Sequence, residues 1–241
     1  MSKRVYPKTP RAKPAETPLE FESFRYPELD RQLKGLLDRQ HRMLGRHGST
    51  LHAATKTREF KKWTKRVWGL VGEWPQSALR AIHYYTLFLN EVDGYMHHYK
   101  WQGYACMWIA LKMEYDTNIP GTDMVDHLFG SVPNPDECCE YLIQAEREVA
   151  ETLGYNFSRP MPIEFANVLV CMVSDGPAHM RAVMKTLKRC SCRSRFVMVP
   201  PSFLAAAVVA AVVPSAVEDL KKLVPGCDMD YILPHVRLAN E

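Results

Sequence analysis

Two residues of opposite charge, Lys112 and Glu146, are the strongest candidates for a binding function, because both lie beside apolar stripes of predicted helices. Glu146 stands among apolar residues, where a carboxylate costs several kcal/mol unless it meets a cation or a hydrogen-bond donor. Lys112 lies at the edge of a stripe of small and soft residues in the predicted helix that begins at Gly103. That stripe consists of Gly103, Cys106, Ala110 and Met113. If the two helices are neighbours, the two charges meet at one surface and can hold backbone groups of a helix from another protein.

The remaining reactive side chains predict neither a metal site nor an enzyme. The cysteine and histidine pairs do not have the two spaced pairs of a zinc site, so buried or idle thiols are the favoured interpretation. These pairs are His97-His98, Cys138-Cys139 and Cys190-x-Cys192. The chain has no nucleotide-binding loop, kinase signature, nucleophile elbow or metalloprotease motif. We therefore expect no catalytic residue, no metal and no cofactor.

Helical periodicity predicts the elements that must position the two charges. Apolar residues recur at helical spacing along the chain, and proline or glycine separates the periodic segments. No segment alternates with a period of two for long, so the predicted class is all-α. We expect two tandem five-helix bundles with an extra N-terminal helix over 26–44. The other helices are predicted near 60–71, 75–93, 103–119, 122–129, 135–153, 163–173, 178–187, 202–213, 216–223 and 228–238.

Three regions follow from this pattern. Residues 1–25 are basic, rich in proline and poor in large apolar side chains, so we expect a disordered tail. Residues 26–157 are predicted to hold the N-terminal helix and the first bundle. Residues 158–241 are predicted to form a second, shorter bundle.

The composition indicates a globular protein with no membrane segment. Hydrophobic residues make up 46% of the chain, and the most apolar stretch, 203–213, is shorter than the roughly 20 residues that span a bilayer. The chain begins without the apolar segment of a secretory signal. Its seven cysteines show no framework spacing, which indicates free thiols in a reducing compartment. We expect a location in the nucleus and the cytoplasm.

Basic residues do not predict binding to nucleic acid. The net charge is +4, and much of it lies in the first 13 residues, so the remainder is close to neutral. The N-terminal run is equally compatible with a nuclear address and with a simple tail. A second cluster is interpreted first as a solvated loop, with a docking surface for an acidic partner as the alternative. It consists of Lys185, Lys188, Arg189, Arg193 and Arg195.

Three segments in the right order resemble the cyclins, and among them the D-type cyclins most. GYACMWIALKMEYDTNIP, at 103–120, resembles the third helix of a cyclin box with its K-x-E and I-P. AEREVAETLGYNF, at 145–157, is similar to the fifth helix and its exit. VPPSFLAAAVVAAVV, at 199–213, resembles the alanine-rich run of the second half in D-type cyclins. The resemblance covers roughly residues 56–241.

This resemblance implies a non-enzymatic activator of a cyclin-dependent kinase of the G1 class, with which the chain would form a heterodimer. The family's kinase-binding lysine and glutamate are matched by Lys112 and Glu146. In the family they bind the start of the kinase's C-helix and move it inward, which completes the kinase's own Lys–Glu pair. Further positions near that interface are matched by Met113, Arg147, Ala150 and Tyr155. No nucleic acid and no membrane is implied as a partner.

The chain departs from the family pattern in several places. The second-helix D-R-F/L is replaced by Thr86-Leu87-Phe88, which lacks the acidic residue. The apolar docking patch of the first helix is matched only by the polar KTREF at 56–60, so docking of short basic-apolar motifs is not expected. Leu-x-Cys-x-Glu is absent from the N-terminal region, so binding to retinoblastoma-type proteins is not expected either. A compact chain of this kind also resembles virus-encoded D-like cyclins.

Two other classes stay open at the level of sequence. A transcriptional-class cyclin would keep the lysine–glutamate pair and select a transcriptional kinase. A two-box transcription adaptor regulating RNA polymerase II transcription would need a strongly basic face, which the near-neutral charge of the folded part argues against.

Overall fold

The computed structural model of the protein describes residues 26–44, 58–92, 98–115, 119–173, 176–196 and 199–240, which form eleven α-helices and no strand. In chain order the helices are α1 (Tyr26–Leu44), α2 (Arg58–Val71), α3 (Pro75–Glu91), α4 (Lys100–Tyr115), α5 (Gly121–Phe129), α6 (Pro135–Thr152), α7 (Pro162–Met172), α8 (Met180–Ser191), α9 (Pro201–Val212), α10 (Val217–Leu223) and α11 (Met229–Asn240). The predicted all-α class is confirmed. The predicted tail over 1–25 and residue His97 lie outside the described residues.

Proline and glycine set many helix ends, as their positions in the sequence predict. Four helices carry proline in the first turn, where its missing N–H is not needed. These prolines are Pro75, Pro135, Pro162 and Pro201. Gly154 follows α6 with φ +60°, and Tyr155 next to it has φ +55°, in the left-handed region that a tyrosine rarely adopts. Asn134 precedes α6, but its side chain donates to Glu137 Oε2 at 3.2 Å and does not cap a backbone N–H.

Helix α4 is the packing centre of the first half, between α3 and α6. Every side chain from Tyr104 to Leu111 is buried, so this helix is enclosed on all sides over two turns. Because Gly103 has no side chain, Trp63 and Tyr85 can pack closely against the backbone of α4. A Cβ added there would lie 2.9 Å from Nε1 of Trp63 and 3.2 Å from the ring of Tyr85. The sequence-predicted small face is therefore a contact surface at its first three members, whereas Met113 is 44% exposed.

Helix α9 plays the same part in the second half, where it contacts α7, α8, α10 and α11. Its buried run from Leu204 to Ala210 consists mostly of alanine and valine, which lets several helices approach its backbone closely. We propose a domain boundary between α6 and α7, after residue 157.

Helix α1 packs against α7 and α9. Its apolar stripe includes Leu29, Leu33 and Leu36, all buried. Gln40 follows on the same stripe and is 7% exposed. Its Nε2 donates to Ser202 Oγ at 2.8 Å, and its Oε1 accepts from Ser202 N at 2.8 Å. Ser202 lies in the first turn of α9, so Gln40 satisfies one of the backbone donors that a helix N-terminus leaves unpaired.

The two halves share one hydrophobic core. Trp68 of α2 donates its Nε1 hydrogen to Ser191 Oγ of α8 at 2.9 Å. Arg80 of α3 lies between Glu114 of α4, at 3.0 Å, and Glu164 of α7, at 3.7 Å. Through Arg80, α4, which carries the first of the candidate charges, is linked to α3 and α7.

Candidate functional site

Lys112 and Glu146 form an ion pair that joins α4 to α6. Lys112 Nζ lies 2.6 Å from Oε1 and 2.9 Å from Oε2 of Glu146, so the ammonium contacts both carboxylate oxygens. The side chains are 26% and 24% exposed. The structure therefore brings the two predicted charges together at the edge of the molecule, where each keeps contact with solvent.

An aromatic ring holds the lysine in place. Lys112 Nζ lies 3.4 Å from the centre of the Trp108 ring, a cation–π contact across one helical turn. Trp108 is 4% exposed, and its Nε1 donates to the carbonyl oxygen of Ile119 at 3.0 Å. Because the ring is itself immobilised, it holds the ammonium in a fixed position.

The other predicted site residues lie on α4, on α6 and at the exit of α6, and they differ in exposure. Arg147 is exposed beside Glu146, and Ala150 lies one turn later and is 8% exposed. Met113 follows Lys112 and is 44% exposed. Tyr155 stands after the end of α6 and is 67% exposed, the largest exposed fraction among the large apolar side chains described. Met113 and Tyr155 therefore expose apolar area at the end of α4 and at the exit of α6.

Sequence reasoning missed Ile143, which is 44% exposed and precedes Glu146 by three residues. Residues three apart on a helix are neighbours, so Ile143, Glu146 and Ala150 share a face. The signal was present, because an isoleucine off the buried stripe of Leu142 and Val149 has no core to enter. Trp108 was also missed, although its spacing of four residues from Lys112 permits the contact.

A second polar contact fixes α4 against α6. Glu148 accepts from Gln102 Nε2 of α4 at 2.6 Å and from Gln144 Nε2 of α6 at 3.0 Å. With the Lys112–Glu146 pair, this ties the two helices at two levels.

The segment that carries Tyr155 is anchored by Tyr84 of α3. The Tyr84 hydroxyl donates to the carbonyl oxygen of Phe157 at 2.7 Å, and the two rings meet edge to face with centroids 5.3 Å apart. Burial raises the pKa of Tyr84 to about 12, so its phenol stays protonated and continues to donate this bond at neutral pH. The exit of α6 is therefore a fixed part of the surface.

The pKa values of several cysteine thiols are set by how deeply the thiols are buried. Burial raises the pKa of Cys190 to about 12 and that of Cys227 to about 11, and it also raises the pKa of Cys106. Such thiols stay protonated at neutral pH and are poor nucleophiles. Among the described residues, no three His, Cys, Asp or Glu side chains group closely enough to hold a metal ion.

None of the helices in the described part of the chain combines the length and the hydropathy that crossing a bilayer requires.

Comparison with known proteins gives a match in structure and none in sequence. No protein-family model matches the chain, and neither does any curated protein. The fold is similar to the crystal structure of a viral cyclin from herpesvirus saimiri, with a TM-score of 0.64 and 12% identity. The match covers 86% of this chain and 96% of that chain. The chain therefore has a cyclin-like fold over nearly the whole length of that protein.

Proposed function

We propose that this protein is a regulatory subunit that binds and activates a cyclin-dependent kinase of the G1 class, and that it is not itself an enzyme. The observation that carries the proposal is the preformed pair of Lys112 and Glu146, joined at 2.6 Å and left about a quarter exposed. The similarity in fold to a viral cyclin supports it, as do the three sequence segments that resemble D-type cyclins.

The pair suits recognition of a helix end. Each carboxylate oxygen of Glu146 keeps lone pairs beyond those that Lys112 uses, so it can accept from backbone N–H groups of a partner. Lys112 presents a positive charge beside it, which suits backbone carbonyl groups. Both side chains are already ordered by each other and by Trp108, so less conformational entropy is lost on binding.

Exposed apolar side chains on α4, on α6 and at the exit of α6 supply the area that charge alone does not. Met113, Ile143 and Tyr155 are all at least 44% exposed. Burying such side chains against a partner supplies the main favourable free energy of association. Activation then follows from population shift, because a regulatory subunit that binds only the active arrangement of the kinase helix favours that arrangement.

Reconstitution with purified kinases tests the proposal. We expect the chain to form a stable complex with a kinase of the G1 class and to raise its activity on a peptide substrate. Transcriptional-class kinases serve as the comparison set, and activation of those alone would replace the G1 assignment with the transcriptional one. Failure to bind any member of either set would refute the proposal.

A further inference from the structure

A strongly basic region lies on helices other than those of the Lys112–Glu146 pair. Helix α2 carries five cationic residues and one anionic residue, and the segment 180–196, which includes α8, carries six cationic residues and no anionic one. Because the whole chain has a net charge of only +4, the residues outside these two segments carry a net −6. A near-neutral average therefore conceals a separation of charge.

The two basic helices meet at Trp68 of α2 and Lys188 of α8. Lys188 Nζ lies 4.9 Å from the centre of the Trp68 ring. Trp68 Nε1 donates to Ser191 Oγ, which in turn donates to the carbonyl oxygen of Lys188 at 2.8 Å. These contacts link α2 at Trp68 to the last turn of α8.

Both helices carry further cations on the faces of Trp68 and Lys188. Lys61 and Lys65 precede Trp68 by seven and three residues, so they lie on its face of α2. Arg181 and Lys185 precede Lys188 by the same intervals and lie on its face of α8. We call these five residues the α2–α8 basic surface: Lys61, Lys65, Arg181, Lys185 and Lys188.

The charges of this surface are not neutralised within the described residues. All five side chains are exposed, and none forms an ion pair with a described residue. Two neighbours differ in this respect. Arg189 donates to the carbonyl oxygen of Asn240, and Arg193 donates to that of Ala239 at 3.5 Å, so both bind the C-terminal end of α11. Within the cluster seen in the sequence, Arg189 and Arg193 thus bind the end of α11, whereas Lys185 and Lys188 form no ion pair with a described residue.

We propose that the α2–α8 basic surface binds an acidic segment of a partner protein, through aspartate and glutamate carboxylates or phosphorylated side chains. A protein segment fits better than a nucleic acid for two reasons. A long polyanion would extend onto the rest of the molecule, whose net −6 repels it. Single strands also bind by stacking on aromatic rings, but Trp68 is 7% exposed, covered by Lys188 and already hydrogen-bonded.

Binding of the full chain to labelled peptides tests this without any kinase, so its failure is distinguishable from failure of the proposed function. The probes are a short glutamate-rich peptide, a version with phosphoserine at some of those positions, and a version with glutamine throughout. We expect the two acidic peptides, or the phosphorylated one alone, to bind at roughly 0.15 M salt, with affinity that falls as salt is added. The glutamine peptide is expected not to bind.

Charge-neutral variants locate the site. Lys61→Gln with Lys65→Gln, and separately Arg181→Gln with Lys185→Gln, are each expected to weaken binding by roughly fivefold to tenfold, since each pair loses two exposed ionic contacts. Lys221→Gln with Lys222→Gln on α10 removes the same charge elsewhere and is expected to bind like the wild type. Equal binding of all three double variants would overturn the proposal. Equal binding of all three peptides would also overturn it, as would tighter binding to single-stranded DNA or to anionic vesicles than to any peptide.

Discussion

Exchanging the two charges of the Lys112–Glu146 pair separates its contribution to stability from the role in binding that we propose for it. In Lys112→Glu with Glu146→Lys, an ion pair between α4 and α6 can form again, because the two groups still face each other across the same gap. The pattern presented to a partner is inverted, however. Stability and recognition should therefore respond differently to one perturbation.

The expected loss of stability is small. A partly exposed ion pair contributes about 1 kcal/mol or less, and most of that is regained in the exchanged pair. The cation–π contact is not regained, because a carboxylate at residue 112 faces the negative ring of Trp108, and this costs about another 1 kcal/mol. We expect the free energy of unfolding, measured by urea denaturation, to fall by about 1–2 kcal/mol.

The expected loss of kinase binding is larger. Truncating or reversing a hydrogen-bonded interfacial charge costs about 2–5 kcal/mol, which corresponds to a Kd roughly 30-fold or more higher. Calorimetric titration with a purified kinase of the G1 class measures it. The matched control exchanges Glu218 and Lys221, an exposed pair on α10 at 3.1 Å, and should leave the Kd unchanged. A folded exchange variant of residues 112 and 146 that binds within threefold of the wild type would refute the role of the pair, since roughly 30-fold is expected.

Three further predictions concern the scaffold. Gly103→Ala should lower the free energy of unfolding by about 1–3 kcal/mol, because the added Cβ lies 2.9 Å from Nε1 of Trp63. Gly69→Ala on α2 has open space around the added Cβ and should raise the free energy of unfolding by up to about 1 kcal/mol. Equal effects of the two substitutions in urea denaturation would contradict this. Tyr84→Phe should reduce the alkaline loss of stability, because the neutral phenol stabilises the fold fully below about pH 10 and this stabilisation is lost as the pH rises towards the folded pKa of about 12. Parallel slopes of unfolding free energy against pH for wild type and variant would argue against it. Gln40→Ala should lower the free energy of unfolding by about 2 kcal/mol or more, because it leaves two buried polar groups of Ser202 unpaired. Hydrogen exchange should become faster in α1 and in the first turn of α9. Unchanged exchange there would show that Gln40 does not stabilise the start of α9.

Much of the secondary structure was predictable because its signals are local. Proline in a first turn and glycine after a last turn act within a few residues, so the ends of α3 and α6 follow from Pro75, Pro135 and Gly154. The meeting of Lys112 and Glu146 was predictable in kind, because a charge beside an apolar stripe needs a partner. The distance of 2.6 Å and the ring of Trp108 beneath the ammonium depend on how α4 and α6 pack, which periodicity does not encode.

The position of α1 was not predictable from its own sequence. Its leucine stripe predicts an amphipathic helix but not the surface that the stripe covers. Gln40 held an unused signal, because it is a polar residue on that stripe, and the same reasoning that singled out Glu146 applies to it. Likewise, the basic cluster near α8 gave no sign that Arg189 and Arg193 bind the end of α11, since that contact joins residues about 50 apart in the chain.

The bond between Gln40 and Ser202 joins residues 162 apart, which has a consequence for how a ribosome delivers this chain. At about 5–20 residues per second, roughly 10–30 seconds pass between the synthesis of Gln40 and the synthesis of Ser202. During that interval the α7 part of the surface that α1 packs against is completed, but the α9 part is not. Helix α1 is the first described helix to be synthesised, but it can complete its packing only after α9 is made. Until then part of its apolar face is accessible to chaperones.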